Sequence, residues 1–237
     1  MTEPLFRDDA YLTSCEATVV AVNDRGGVVL DRTVFYPTGG GQPGDSGTLR
    51  RADGSEAPIA TTVKGDTPDE IVHVLPEDAT QPDVGETVTV EIDWDRRHRH
   101  MRMHTAMHLL SAVLSYPVTG GQVGAEKSRL DFDIPEATLD KEEITAELNR
   151  LIEADDPVGF QWITDAELEA SPDLVKTMSV KPPTGAGHVR LVEVKGRDLQ
   201  PCGGTHVART GEIGKVEVRK IEKKGRQNRR VSIQFAE

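Results

Sequence analysis

Between Met101 and Leu114 the apolar residues Met103, Met107, Leu110 and Leu114 follow the i, i+4, i+7, i+11 stripe of a helix that lays one face on a core. Asp95 stands where an N-cap is expected, and Tyr116-Pro117 stops the pattern. Upstream the chain is valine-rich. Glu16 to Val22 and Val28 to Leu30 flank Asn23-Asp24-Arg25-Gly26-Gly27 and read as a hairpin, and further β-type runs lie at Ile71 to Leu75 and Thr87 to Ile92. Short strands at this spacing predict a small barrel or sandwich that ends near Ile92. The stretch from Val34 to Gly47 is dense in glycine. It reads as a flexible hairpin loop, or as backbone that another molecule approaches closely, with Gly40, Gly41 and Gln42 at its centre.

Downstream of the helix, Gly120-Gly121-Gln122-Val123-Gly124 reads as a turn, and Arg129 to Ile134 alternates like a half-buried strand. A second helix is expected over Lys141 to Ala154, with Asp140 and Glu143 as a capping box and Ile144, Leu148, Leu151 and Ile152 on its buried face. Thr164 and Glu167 cap a third, shorter helix that Pro172 ends. His188 to Val194 reads as a strand, and Lys215 to Lys220 pairs with Arg230 to Phe235 around a charged tip. Strands mixed with helices in hairpin-like order make this an α+β chain of two domains: an N-terminal small β-barrel over residues 1–92, then an α+β domain over 93–237 with a helix-borne metal site.

The metal expectation rests on spacing. His104 and His108 fall one turn apart on a single helix face, so both imidazoles can reach one point. Taken alone the pair reads more readily as two satisfied core or surface histidines. The case changes at Pro201-Cys202-Gly203-Gly204-Thr205-His206, where a tight loop can turn a thiolate and an imidazole toward one ion. Three imidazole nitrogens and a sulfur suit tetrahedral zinc, Zn2+. No carboxylate lies between the two helix histidines, which excludes the His-Glu-x-x-His arrangement of a metalloprotease. Four protein ligands are typical of structural zinc, so for hydrolysis either the site expands to five-coordination, or one ligand, His206 or His104, is weakly held, or the metal only builds the pocket.

Composition narrows the partner. Of 237 residues, 36% are hydrophobic but only 4% aromatic, and the net charge is −12. An acidic chain with few aromatic residues is poorly suited to indiscriminate nucleic-acid binding or to stacking of single strands. Against that background Arg96-Arg97-His98-Arg99-His100-Met101-Arg102 and the Lys215 to Arg230 segment stand out as basic, one beside each half of the metal site. Each run by itself reads as a solvated face. Paired around one site they favour RNA, with Arg97, Lys223, Lys224, Arg226 and Arg229 as candidate phosphate contacts. The two cysteines, Cys15 and Cys202, are not expected to bridge. The short acidic N-terminus is no signal peptide and no apolar run is long enough to span a bilayer, so a soluble cytoplasmic protein, monomeric by default, is expected.

His104-Thr105-Ala106-Met107-His108-Leu109-Leu110 together with Pro201-Cys202-Gly203-Gly204-Thr205-His206-Val207 resembles the editing domain of alanyl-tRNA synthetase and its freestanding relatives, the AlaX proteins. Gly120 to Gly124 and Arg129 to Asp133 look like family segments in the expected order, and Phe35 to Asp45 is similar to the glycine motif in the N-terminal barrel of the longer AlaX forms. The resemblance implies a trans-editing hydrolase that deacylates mischarged tRNA(Ala), chiefly Ser-tRNA(Ala), with Gly-tRNA(Ala) as a second substrate. It implies zinc on His104, His108, Cys202 and His206, and places Gln122 in the amino-acid pocket. Two hydroxyls common in synthetase editing domains are replaced here by Met107 and Ala125, which leaves Thr105 to take over one such role beside Gln122. Asp198 is a candidate to orient a ligand histidine, or a plain turn residue. The alternative reading is an RNA-binding module whose zinc is purely structural.

Overall fold

The computed structural model describes residues 1–67, 69–134, 138–178 and 187–236. The chain divides into two compact units, Met1–His98 and Arg99–Glu237.

The first unit contains β1 (Glu3–Pro4), β2 (Ser14–Val22), β3 (Val28–Leu30), β4 (Arg32–Thr33), β5 (Gly47–Arg51), β6 (Glu56–Ile59), β7 (Thr61–Lys64), β8 (Ile71–Val74) and β9 (Thr87–Ile92). Seven of these form one sheet in the order β6-β5-β9-β2-β3-β8-β7, and all its pairings are antiparallel. Its two outermost strands, β6 and β7, are consecutive in the chain with only Ala60 between them, so the sheet curls into a nearly closed barrel. Alternation does the rest: Val88, Val90 and Ile92 of β9 point inward with Val19, Leu30, Phe35 and Leu49, while Thr87, Thr89 and Glu91 face out. The expected barrel is therefore present.

Inside it lies one polar chain. Phe35 N–H donates to Thr33 Oγ1 at 3.0 Å, Thr33 Oγ1 meets His73 Nε2 at 2.8 Å, and His73 Nδ1 meets the Val28 carbonyl at 3.0 Å. A carbonyl only accepts, so the proton sits on Nδ1 and Thr33 donates to Nε2. Burial holds His73 neutral and pushes its pKa down to about 4.

The glycine stretch is more ordered than its composition suggests. Gly40 (φ +56°) and Gly41 (φ +83°) take the left-handed conformation, and the turn is closed by reciprocal backbone bonds between Gly39 and Gln42 at 3.1 and 2.9 Å. Asp45 then ties it down, accepting from Tyr36 N–H at 2.7 Å and from Arg97.

The longest helix, α1 (Trp94–Leu114), begins in the first unit and continues into the second. It starts earlier than its apolar stripe, and its cap is Asp93 rather than Asp95: the Asp93 carboxylate accepts from Arg96 N–H at 3.1 Å. The second unit adds β10 (Val118–Gln122), β11 (Lys127–Asp133), α2 (Lys141–Glu153), β12 (Val158–Thr164), α3 (Asp165–Glu169), β13 (His188–Val194), β14 (Asp198–Pro201), β15 (Val216–Lys223) and β16 (Asn228–Phe235). They form a four-stranded sheet, β10-β11-β16-β15, and a three-stranded one, β12-β13-β14.

All four expected apolar residues of α2 are buried, and Asp140 caps it by accepting from Glu143 N–H. Thr164 and Glu167 make the full capping box of α3. Thr145 and Asn149 of α2 bond backbone groups of Val218 and Val216, which covers the outer edge of β15. A second expectation is corrected: Gly120 to Gln122 belong to strand β10 rather than to a turn. The reason is close packing, since a Cβ on Gly121 would lie 2.9 Å from Leu130 Cδ2 and 3.3 Å from Met107 Cε.

Candidate metal centre

His104 and His108 project from the same face of α1, both nearly fully buried. Cys202 and His206 come from the loop after β14, and that loop is held by Arg190 of β13. Its guanidinium donates to the carbonyls of Cys202 and Gly204 at 3.0 and 3.1 Å, while the Arg190 carbonyl accepts from Cys202 N–H at 3.0 Å. Cys202 Sγ lies 3.6 Å from His104 Nε2 and 3.3 Å from His206 Nε2. One ligand atom from each of the four residues falls within 4.8 Å of every other, a set that can hold a metal ion.

What stands behind the ligands decides which ring nitrogen is offered. His108 Nδ1 donates to Asp198 Oδ2 at 2.9 Å, and Asp198 is itself held by Gln200 Nε2 at 2.8 Å and by Lys176 Nζ. That leaves Nε2 of His108 free of the carboxylate. His206 Nδ1 meets Thr105 Oγ1 at 3.1 Å, Val207 N–H approaches the same oxygen at 3.3 Å, and Thr105 Oγ1 lies 3.0 Å from the Met101 carbonyl. A hydroxyl has one proton and two lone pairs. The only assignment that satisfies all three contacts has Thr105 donating to Met101 and accepting from Val207 and from His206 Nδ1–H. Nε2 of His206 then presents its lone pair beside Cys202.

The electrostatics agrees with metal binding. Burial alone would push the Cys202 thiol up, but the imidazoles of His104 and His206 hold it well below the usual thiol range, so a thiolate is favoured. Burial and the neighbouring His104 push His206 down to about 3, which keeps it neutral. Burial disfavours the imidazolium of His108 as well, yet the Asp198 bond and the Cys202 sulfur outweigh it and raise its pKa to about 9. Burial would raise Asp198, but His108 and Lys176 bring it down to about 2. The Cys202 thiolate and the neutral His206 are forms a cation requires, whereas His108 must give up its Nε2 proton when an ion binds; the nitrogen and sulfur donors fit a borderline-soft ion.

Two family models match parts of the chain: the second additional domain of threonyl and alanyl tRNA synthetases over residues 189–232, and the class II (A) tRNA synthetases over residues 11–96. An alanyl-tRNA editing protein AlaX-M of Methanosarcina acetivorans is 41% identical, with 98% of each chain covered. Its counterpart in Saccharolobus solfataricus is 36% identical at the same coverage. The chain belongs to the AlaX-M family of alanyl-tRNA editing proteins. It also aligns with an alanine–tRNA ligase of Pyrobaculum aerophilum at 37% identity, but there 94% of this chain matches only 25% of the ligase.

The structure sorts the residues singled out in the sequence. The four proposed ligands come together. Thr105 does not open onto a pocket: it is fully buried and all its hydrogen-bonding capacity goes to Met101, Val207 and His206, so its role is positional. Gln122 is exposed and accepts from Arg129 Nε at 3.3 Å, on a groove of about 750 Å³ that none of the four cluster residues lines. Arg97 is corrected outright. Its side chain is 0% exposed and bonded to Asp45 and to the carbonyls of Ala10 and Val34 at 2.9 and 2.6 Å, so it offers nothing to a phosphate.

The rest of the basic run on α1 also bonds backbone carbonyls but is less buried: Arg96 donates to that of Gly44 at 2.7 Å, Arg99, which is exposed, to that of Ala125 at 2.9 Å and Arg102 to that of Ile213 at 2.9 Å. Gly40 and Gly41 are exposed but Gln42 is buried at 1%, which withdraws its side chain from any surface contact. Lys223, Lys224 and Arg226 are exposed at the β15–β16 tip, and Arg229 is half-buried. Lys176, behind Asp198, carries no signal in the sequence at all. No described helix is long and apolar enough to cross a membrane.

Proposed function

We propose that this chain is a trans-editing hydrolase that cleaves the ester of tRNA(Ala) carrying a wrong amino acid, chiefly serine and secondarily glycine, at a zinc site formed by His104, His108, Cys202 and His206. The observation that carries the reading is the convergence of those four buried or half-buried donors, with Cys202 favoured as the thiolate and His206 neutral, in a member of a family whose relatives are named alanyl-tRNA editing proteins.

When bound, zinc supplies a Lewis acid for the ester or for water. The protein's own part is positioning. Asp198 keeps the proton on His108 Nδ1 and Thr105 keeps it on His206 Nδ1, so both rings turn Nε2 to one point. A site built to bond the serine hydroxyl rejects alanine because its polar groups would be left unpaired; Gln122, on a groove that none of the four donors lines, is not placed to be that group. The exposed backbone of Gly40 and Gly41 and the cations Lys223, Lys224, Arg226 and Arg229 contact the tRNA.

The closed four-ligand set favours one rival, an RNA-binding module with structural zinc. The zinc-loaded protein, given Ser-tRNA(Ala) and Ala-tRNA(Ala), separates the two. Release of serine on the order of a hundredfold faster than alanine, lost together with zinc in Cys202→Ala, is the expected result. Tight tRNA binding with no release of serine at full zinc loading would establish the rival.

A further inference from the structure

The outer face of the four-stranded sheet carries charge that the metal centre does not use. Its inner face is apolar, with Leu130, Phe132, Val218, Val231 and Ile233 buried. On the outer side the register lines up Gln122, Arg129, Ser232 and Lys220 as one row across β10, β11, β16 and β15. Between Val218 and Lys220 the pairing slips, which makes Arg219 the extra residue of a bulge. The consequence is that Arg219 and Lys220, adjacent in sequence, are both exposed and both line the groove of about 750 Å³ on this face.

Asp131 organises the next row. Its two carboxylate oxygens accept from Arg230 Nε and Arg230 Nη2 at 2.7 and 2.8 Å, and one of them also accepts from Arg129 Nη1 at 2.7 Å. Two guanidinium planes are thereby fixed side by side with other N–H groups still to donate, the arrangement suited to phosphate oxygens. Lys127 also lines the groove. The groove thus has five cations against Glu126 and Glu222, in a chain whose net charge is −12.

We infer that this groove is the track for the phosphodiester backbone of the tRNA acceptor end, running from Gln122 over Arg129 and the Arg219-Lys220 bulge to the Lys223–Arg229 tip. The inference rests on the editing reading for the identity of the RNA, and on charge, register and shape for the surface. Arg219 and Lys220 set the affinity. Asp131 sets the geometry by holding Arg129 and Arg230 in place.

The test uses the full chain, an uncharged tRNA(Ala) transcript and filter binding between 50 and 200 mM KCl, conditions that expose counterion release on the order of one ion per phosphate contact. Compared with wild type and with Lys195→Ala, an exposed cation away from the groove, the double variant R219A/K220A is expected to bind about tenfold more weakly at 100 mM salt. Its slope of log affinity against log salt falls by about one to two. In deacylation its KM rises with kcat within about twofold.

Affinity and slope equal to those of wild type overturn the proposal. So does retained RNA affinity with lost binding of poly-glutamate, which reassigns the face to an acidic protein segment. Binding through the groove with no ester cleaved leaves the track standing and removes only the editing reading. Absence of any tRNA binding by wild type removes both.

Discussion

His73 in the first unit and His108 in the second are both buried imidazoles, and each has one ring nitrogen held by an oxygen. Their surroundings drive them in opposite directions. His73 faces a carbonyl and a hydroxyl, both neutral, so burial wins and its pKa falls to about 4. His108 faces the Asp198 carboxylate and the Cys202 sulfur, which overcome burial and raise its pKa to about 9. Burial of a histidine therefore says little about function. What distinguishes the two is whether the second nitrogen is spent: Thr33 consumes that of His73, whereas that of His108 opens toward three other donors.

Three experiments press on that contrast. The largest effect is expected in the barrel. In the folded state His73 resists protonation until about pH 4, while the unfolded chain takes up the proton near pH 6.5. Between those values the unfolded state binds more protons, so stability is full above pH 6.5 and is lost as pH falls toward 4, by about 3 kcal/mol. Urea melts of wild type and His73→Gln across this range check it, and equal pH slopes for the two would refute the assignment.

Next comes Asp198→Asn, which weakens the acceptor behind His108 and is expected to lower zinc affinity by about 10–100-fold in chelator competition. An unchanged affinity would mean that the carboxylate is only a structural partner of Lys176. The smallest effect belongs to Thr105→Val. Removing the acceptor of His206 Nδ1–H frees the ring to choose the wrong tautomer, with a loss of up to about tenfold in zinc affinity. Thr105→Ser should restore it, and failure of that rescue points to packing instead.

How much of this was legible beforehand follows physical lines. The helix half of the metal site can be read directly, because a period of 3.6 puts His104 and His108 on one face whatever else the chain does. The loop half was legible in chemistry but not in geometry, since nothing in Gly-Gly-Thr states that Arg190 braces it. Asp198 was visible as a candidate and is found on His108. The partners of Thr105, Met101, Val207 and His206, are not legible in the sequence, because spacing gives its position on a helix but not what packs over it. Arg97 failed for the same reason: its partner Asp45 is 52 residues away, and only the folded unit brings the two together. Strands β5 to β7 are short and rich in charged, glycine or proline residues, a weak pattern that barrel closure overrides.

The two halves of the metal centre are also separated along the chain, with Cys202 lying 98 residues beyond His104. During synthesis on the ribosome α1 is complete long before the loop exists, and two imidazoles alone make a weak, unselective trap for ions. An ion that binds this cluster would therefore be captured only after the loop that follows β14 has been made, which couples its uptake to the consolidation of the second unit. A nascent chain starved of metal would be expected to stall at that point, with its barrel finished and its business end still open.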